Sequence, residues 1–198
     1  IGIAVIGGAL SIACYTLIAL AQHRWPSGWA RFADYLVMLP RAMPGIVAGL
    51  AIFWVFLFTK PIAALRTTLI AVWVAYTLVW LAYGMRLVQT ALLQVAPELE
   101  EAARVTGASL VRSMRDVTLP LIRHGMLAAW LLILLIFVRE YSTAVYLLGP
   151  GTEVIGSLVV SRWNGGAVDL VTCLSCINVA LISCGLFVAL RFGVKLHG

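Results

Sequence analysis

Two small groups of residues have the types and spacing that chemistry needs. Cys173 and Cys176 are separated by two residues, which is the spacing of dithiol redox centres and of half a metal site. Arg139 and Glu140 place a cation beside a carboxylate in an apolar stretch, and the hydroxyl of Ser142 follows closely. A charge inside a membrane span is by default a sign of a functional site. The cysteines therefore suggest redox or metal chemistry, and the second group suggests a cation path or its gate.

Each group also has a simpler interpretation. The two cysteines can be small residues on one face of a membrane helix, because no nearby histidine or second cysteine pair completes a metal site. Arg139 and Glu140 can extend to the outer headgroups or form ion pairs between helices. As neighbours on a helix they would need separate partners. We predict no metal and no cofactor on this chain, and we assign Arg139, Glu140 and Ser142 to a path or gate.

The composition places these residues in a membrane. Of the 198 residues, 63% are hydrophobic and 11% are charged, and the mean hydropathy is +1.03. A soluble domain has about 25% charged residues. The net charge of +6 does not indicate nucleic-acid binding, because the basic residues of membrane proteins collect in cytoplasmic loops. We therefore predict an all-α integral membrane protein with no nucleic-acid partner.

Apolar runs of about 20 residues predict five membrane spans. These spans cover 1–22, 39–58, 67–87, 125–147 and 168–192. A polar link over 23–34 is expected between the first two. Pro40 and Pro44 are expected to mark the start of the second span, and Gly45-x-x-x-Gly49 within it is a small-residue packing face. The Gly-rich segment 149–166 follows the fourth span, and its residues 153–163 are expected to form a short helix at the membrane surface.

The longest charge-bearing run, 98–120, must lie in water between two spans. Pro97 can open a short helix there, because its missing N–H would be unpaired in the first turn anyway. Gly107 can take the left-handed conformation that ends this helix. Ser109 is a suitable N-cap for a second helix, and Pro120 is expected to limit it.

This run resembles the EAA loop of ABC-importer permease subunits. The residues that match in type and spacing are Glu101-Ala102-Ala103, Gly107, Val117 in place of the usual isoleucine, and Leu119-Pro120. The resemblance implies the MetI-like core of type I importers, with about five transmembrane helices. It also implies that 89–123 is a cytoplasmic coupling loop whose helix docks in a groove of an ATPase subunit. The coupling residues so implied are Glu98, Glu100, Glu101, Ala102, Ala103, Gly107, Leu119 and Pro120.

The orientation in the membrane follows from the basic residues. With the loop in the cytoplasm, most of the lysines and arginines lie on the inner side. This bias predicts a periplasmic N-terminus and a cytoplasmic C-terminus. We treat 1–198 as one transmembrane permease domain. It can be the C-terminal half of a longer fused permease, because the loop motif occurs once here.

Leu39-Pro40 with Pro44-Gly45 resembles the start of the corresponding helix in these permeases generally. Two segments further on resemble the ferric-iron branch: Arg139-Glu140-Tyr141-Ser142, where Tyr141 replaces the usual leucine, and 147–155, which contains Gly149-Pro150-Gly151-Thr152-Glu153. The resemblance implies a multi-pass subunit of a bacterial inner membrane that carries ferric iron. Importers of thiamine, polyamines, phosphonate or sulfate share the same loop, so these substrates stay open.

The resemblance also implies the partners. They are a pair of cytoplasmic ATPase subunits that hold ATP and Mg, a second permease subunit or sister half, a periplasmic substrate-binding protein, and membrane lipid. The chain itself is expected to be a transporter subunit and not an enzyme, because its sequence has no phosphate-binding loop. Two other functions remain: a membrane redox enzyme that uses Cys173 and Cys176, and a secondary transporter, which would leave the charged loop unexplained.

Overall fold

The computed structural model describes residues 1–24 and 28–191, which are helical over most of their length and contain no strand. A π-helical turn, Ile3–Gly7, leads into α1. The ten α-helices are α1 (Gly8–Arg24), α2 (Gly28–Ala42), α3 (Gly45–Phe58), α4 (Leu69–Val79), α5 (Leu81–Leu92), α6 (Pro97–Val105), α7 (Leu110–Ser113), α8 (Leu119–Arg139), α9 (Ile155–Asn164) and α10 (Val168–Arg191). A 3₁₀ helix, Lys60–Thr67, precedes α4, and a π-helical turn, Met114–Thr118, joins α7 to α8.

The described residues contain three helical stretches long and apolar enough to cross a membrane unbroken. They are Ile3–Gln22, Leu110–Arg139 and Val168–Val188. The number rises to the predicted five if each of two bent pairs counts as one span. The axes turn by 109° between Phe32–Ala42 and Gly45–Phe58, and by 99° between Lys60–Thr67 and Leu69–Val79.

The second predicted span starts at Pro44, as expected for that residue, but not at residue 39 or at Pro40. Residues 28–34, which we expected in a polar link, are helical, and Pro40 lies in the last turn of α2. The chain breaks at Pro44 instead, where φ is −55° and ψ is 138°. Pro44 itself has an extended ψ and stands as the N-cap of α3, so the break between α2 and α3 lies at this one proline. The predicted link falls partly on 25–27, outside the described residues.

The third predicted span is interrupted. Residues 67–87 cover the end of the 3₁₀ helix, α4 and half of α5, with Trp80 between the two α-helices at φ −95° and ψ 8°. The hydrogen bonds from Trp80 N to Tyr76 O and from Gly84 N to Trp80 O keep α4 and α5 joined across this residue.

The fourth predicted span is displaced toward the N-terminus. Helix α8 ends at Arg139, Glu140 is extended, and 142–147 form turns. Pro120 does not end the second helix of the loop as we expected. The π-helical turn Met114–Thr118 changes the backbone hydrogen bonds at the position where the ring of Pro120 would clash with a regular α-helix. The helix therefore continues over Leu110–Arg139.

The core forms where α1, α5 and α8 pack closely. A Cβ atom on Gly84 would lie 2.1 Å from the ring of Tyr15, and one on Gly125 would lie 2.6 Å from the Cβ of Ala91. Such small residues let helix backbones approach in an apolar environment, where side-chain hydrogen bonds also join helices. Tyr15 donates one of these, from its hydroxyl to the carbonyl of Thr77 at 2.7 Å.

Helix α10 lies at the edge of this core. None of the most apolar 18 residues of Val168–Val188 is buried within the chain. Helix α10 contacts α8 and α9, the predicted short helix, which begins at Ile155 and ends at Asn164.

Candidate functional site

The charged loop begins with the helix that its sequence predicts. Ala96 is extended, Pro97 occupies the first turn of α6, and the acidic residues Glu98 and Glu100 follow it. Negative charge is favourable at this end because the helix dipole is positive there. The start of the helix is therefore determined by local sequence.

Gly107 ends α6 in the predicted left-handed conformation, with φ at +86°. The N–H of Ala108 donates to the carbonyl of Ala103 at 3.1 Å, and the N–H of Gly107 donates to the carbonyl of Arg104 at 3.0 Å. These two bonds form a complete Schellman motif. No atom outside the local chain lies within 4 Å of a Cβ built on Gly107, so the backbone conformation alone requires glycine.

The second helix of the loop also begins where predicted. The hydroxyl of Ser109 accepts a hydrogen bond from the N–H of Arg112 at 3.4 Å, as an N-cap does. Arg112 and Asp116 then form an exposed pair one turn apart, at 3.4 Å.

One contact in the loop was missed by sequence reasoning. The hydroxyl of Thr118 donates to a carboxylate oxygen of Glu100, and Thr118 is buried. Glu100 therefore ties α6 to the turn that leads into α8, whereas Glu98 and Glu101 are exposed. The two residues are far apart in the sequence and match no motif, so no sequence signal marks this bond.

The outer surface of the loop is partly apolar. Val105 is 88% exposed and Val111 is 73% exposed. Leu99 and Leu110 are also exposed. Between α6 and α7 lies a groove lined by Ala103, Thr106, Gly107, Ala108, Arg112, Ser113, Asp116 and Val117. Exposed apolar side chains beside charged ones are typical of a surface that binds another protein.

A second polar site forms where three helical segments end. Arg41 lies in the last turn of α2, Trp80 separates α4 from α5, and Glu140 follows α8. The indole N–H of Trp80 donates to Glu140 Oε2 at 3.3 Å. The guanidinium carbon of Arg41 lies 4.6 Å from the centroid of the Trp80 ring. Trp80 thus connects the ends of all three segments.

The carboxylate of Glu140 is an acceptor for the turn that follows it. Its Oε1 accepts from the hydroxyl of Ser142 at 2.8 Å, and from the N–H and hydroxyl of Thr143 at 3.1 Å each. Tyr76 donates its hydroxyl to the carbonyl of Glu140. The expected closeness of Ser142 is confirmed. The expected position inside a continuous span is wrong, because Arg139 ends α8 and Glu140 lies beyond it.

The glycine face of α3 packs on this same turn. A Cβ on Gly49 would lie 2.1 Å from the carbonyl oxygen of Thr143, and a Cβ on Gly45 would lie 2.7 Å from the hydroxyl oxygen of Ser142. The predicted packing face is confirmed, but its partner is a turn and not a second helix.

We expect Glu140→Leu to destabilise the protein more than Glu140→Gln. Leucine leaves the buried N–H and hydroxyl of Thr143 without their acceptor, and an unpaired buried donor costs about 1–3 kcal/mol. Glutamine keeps one oxygen for these donors. The thermal unfolding midpoint of the purified chain in detergent measures the difference. Equal midpoints for the two variants would show that the charge, and not the hydrogen bonds, stabilises the turn.

The cysteines are free thiols. Cys173, Cys176 and Cys184 are exposed on α10, and Cys14 is partly buried in α1. Over residues 1–24 and 28–191, no group of three or more His, Cys, Asp and Glu side chains is placed to hold a metal ion.

Comparison with known proteins gives a family, several relatives and a fold. The family described as "Binding-protein-dependent transport system inner membrane component" matches residues 7–196. The putrescine transport system permease protein PotI of Escherichia coli K12 is 24% identical over 158 residues, which are 79% of this chain and 55% of PotI. The sulfate transport system permease protein CysT of Salmonella typhimurium is 31% identical, over 72% of this chain and 55% of CysT.

A ferric relative is also found. The Fe(3+)-transport system permease protein FbpB 2 of Haemophilus influenzae is 26% identical over 80% of this chain and 30% of that protein. The chain thus spans about half the length, or less, of these relatives. The solved structure of the MetNI methionine ABC transporter in inward-facing conformations matches with a TM-score of 0.76 and 20% identity, over 96% of this chain and 89% of the matched chain. This match confirms the MetI-like fold predicted from the loop.

Proposed function

We propose that this chain, which belongs to the family of binding-protein-dependent transport system inner membrane components, acts as the permease subunit of a type I ABC importer. The chain is a multi-pass protein of the bacterial inner membrane. In this proposal it forms the translocation path together with a second permease subunit or sister half. Its N-terminus lies in the periplasm and its C-terminus in the cytoplasm.

The observation that carries the proposal is the attachment of the charged loop to α8. Helix α6 is held to the turn before α8 by the bond between Glu100 and Thr118. The helical stretch Leu110–Arg139 then continues to the site around Glu140. A pair of ATPase subunits that binds ATP and Mg and docks on α6 would therefore move α8 directly. A short amphipathic helix in a groove suits such docking.

The exposed surface of the loop supports this role. Glu98 and Glu101 offer negative charge beside the exposed side chains of Leu99 and Val105. We assign ATPase contact to Glu98, Glu101 and the apolar side chains, and an internal positioning role to Glu100. Gly107, Leu119 and Pro120 set the direction in which the loop joins α8.

The substrate proposed from the sequence is ferric iron, delivered by a periplasmic binding protein. It is supported by the resemblance of the two segments 139–142 and 147–155 to the ferric-iron branch and by the similarity to FbpB 2. A second candidate is an oxyanion. The similarity to a sulfate permease favours it, and so do Arg41 and Arg139, which lie at the polar site.

Uptake by whole cells tests the proposal. The chain is expressed with a candidate ATPase and a candidate binding protein from its source genome, in cells that lack their own importers for the solutes tested. Labelled ferric iron, sulfate, 2-aminoethylphosphonate and putrescine are offered separately. We expect ATP-dependent uptake of one solute, which is lost when the chain is omitted. Uptake of none, with all three proteins present in the membrane fraction, would contradict the importer function.

A further inference from the structure

A cleft of about 370 Å³ lies beside Trp80 and contains two arginines. Its walls come from α2, α5, α8 and α10 and from the residue between α4 and α5. The lining residues that matter here are Arg41, Trp80, Tyr83, Leu135, Arg139 and Ile182. One side of the cleft is cationic and aromatic, and the other is aliphatic.

The two guanidinium groups have no carboxylate partner in the part of the chain that the structure describes. The ion pairs found there involve other residues. Glu140, next in sequence to Arg139, uses its oxygens for Ser142, Thr143 and Trp80. Arg41 stacks on Trp80, and a stacked guanidinium keeps its edge N–H groups available to donate.

The position of the cleft makes this charge costly. Helix α5 ends at Leu92, next to the charged loop, and Trp80 precedes that end by twelve residues. At the rise of an α-helix, this places Trp80 about 18 Å from the loop end of α5. Both arginines lie in the last turn of a helix, where the dipole supplies about half a negative charge. The two helix ends and the nearby carboxylate of Glu140 offset part of this charge, but neither guanidinium has a carboxylate in direct contact among the described residues, so both keep N–H groups that can bind an anion.

We propose that this cleft binds a tetrahedral oxyanion of the phosphate, phosphonate or sulfate type. Arg41 and Arg139 donate to the oxyanion, since the planar fork of arginine matches such groups. Trp80 fixes the plane of the Arg41 guanidinium, and Leu135 and Ile182 contact an apolar tail. The oxyanion has two sources, a transported solute or the phosphate of a membrane lipid. A role of this cleft in transport rests on the proposed function; binding of the oxyanion does not.

The test compares binding by the purified complex of this chain with its ATPase in nanodiscs of phosphatidylcholine. Equilibrium dialysis with labelled sulfate and with methylphosphonate measures binding of a solute. Native mass spectrometry after addition of phosphatidylglycerol measures binding of a lipid phosphate. The main variant combines Arg41→Gln with Arg139→Gln. The matched control is Arg66→Gln, because Arg66 also lies over an aromatic ring, that of Phe53 at 5.5 Å, but not in the cleft.

We expect the glutamine pair to weaken oxyanion binding about ten- to a hundredfold, since a hydrogen bond to a charged group contributes about 1.5–3 kcal/mol. The control is expected to bind like wild type. A loss seen only in dialysis identifies a solute site, and a loss seen only by mass spectrometry identifies a lipid site. Unchanged binding of both probes would overturn the proposal. If the double variant does not fold, the single variant Arg139→Gln is measured instead. The side chain of Arg139 is exposed at the end of α8, so this substitution should not affect folding.

Purification of the tagged chain after co-expression with the ATPase separates this proposal from the proposed function, because the chain can be tested for oxyanion binding whether or not the ATPase co-purifies. If the ATPase co-purifies with the chain and the double variant binds the oxyanion as wild type does, the proposed site is wrong and the permease function stands. Oxyanion binding that depends on the arginines, without any co-purifying ATPase, would support the cleft and reject the importer.

Discussion

The Gly107→Val variant is expected to enter the membrane normally and to lose both ATPase binding and uptake. Gly107 has φ at +86°, and the left-handed region costs an ordinary L-residue about 1–2 kcal/mol, with branched side chains at greater strain. Valine would therefore open the Schellman motif and change the angle between α6 and α7. We expect uptake to fall by at least about tenfold, which is the effect of about 1.4 kcal/mol on a docking equilibrium.

Two further substitutions at this position separate backbone strain from crowding. Gly107→Asn is expected to keep most of the uptake, because asparagine adopts the left-handed conformation more readily than other residues with a side chain. Gly107→Ala is expected to lie between asparagine and valine. Since the space around Gly107 is open, side-chain size should not decide the order. If asparagine and valine impair ATPase co-purification equally, the left-handed turn is not what the loop requires.

The Gly49→Ala variant is expected to lower both the thermal unfolding midpoint and uptake, whereas Gly45→Ala has a smaller effect. The new methyl group at position 49 would lie 2.1 Å from the backbone carbonyl of Thr143, so α3 or the turn must move. Overpacking of this kind costs about 1–3 kcal/mol. At position 45 the nearest atom is the hydroxyl oxygen of Ser142, at 2.7 Å, and this side chain can rotate away.

The two glycine variants carry the same chemical change on the same helix face, so each controls for the other. Midpoints in detergent and uptake in cells are measured for both. Equal losses would show that the whole face is sensitive to added volume. A larger loss for Gly45→Ala would contradict the packing of Gly49 against the turn after Glu140.

The loop could be predicted residue by residue because its structure is local. Pro97, Gly107 and Ser109 each act within a few residues of themselves, and the structure places all three as their types indicate. The bond between Glu100 and Thr118 is different. It joins two residues that only the packing of α6 on the following turn brings together, and no spacing rule describes that packing.

The ends of the spans were predicted less well because hydropathy measures polarity and not helicity. Residues 140–147 are largely apolar, yet the helix has ended and 142–147 form turns beside the carboxylate of Glu140. Residues 28–34 include charged side chains and are nevertheless helical, and Asp34 forms an ion pair with Arg86 of α5 at 2.9 Å. The turn depends on hydrogen bonds to one carboxylate, and the helix over 28–34 carries an ion pair to a residue distant in the sequence; hydropathy detects neither.

The polar site around Trp80 and Glu140 was only partly foreseen, because packing between distant segments forms it. Arg139, Glu140 and Ser142 stood out as polar residues in an apolar run. Trp80 and Arg41 did not, because a tryptophan within a span and an arginine near a span end are common. Their importance appears only when α2 and the junction of α4 with α5 meet the end of α8.

Site-specific cross-linking tests the docking of the loop most directly. Glu101→Cys and Glu153→Cys are introduced separately into a chain whose four native cysteines are replaced by serine, and each is expressed with its ATPase. Glu101 lies in the loop before α8, and Glu153 lies beyond the other end of α8. We predict that a thiol cross-linker joins the ATPase to the cysteine at position 101 and not to that at 153. A cross-link at 153, or none at 101 while the ATPase co-purifies, would contradict the account.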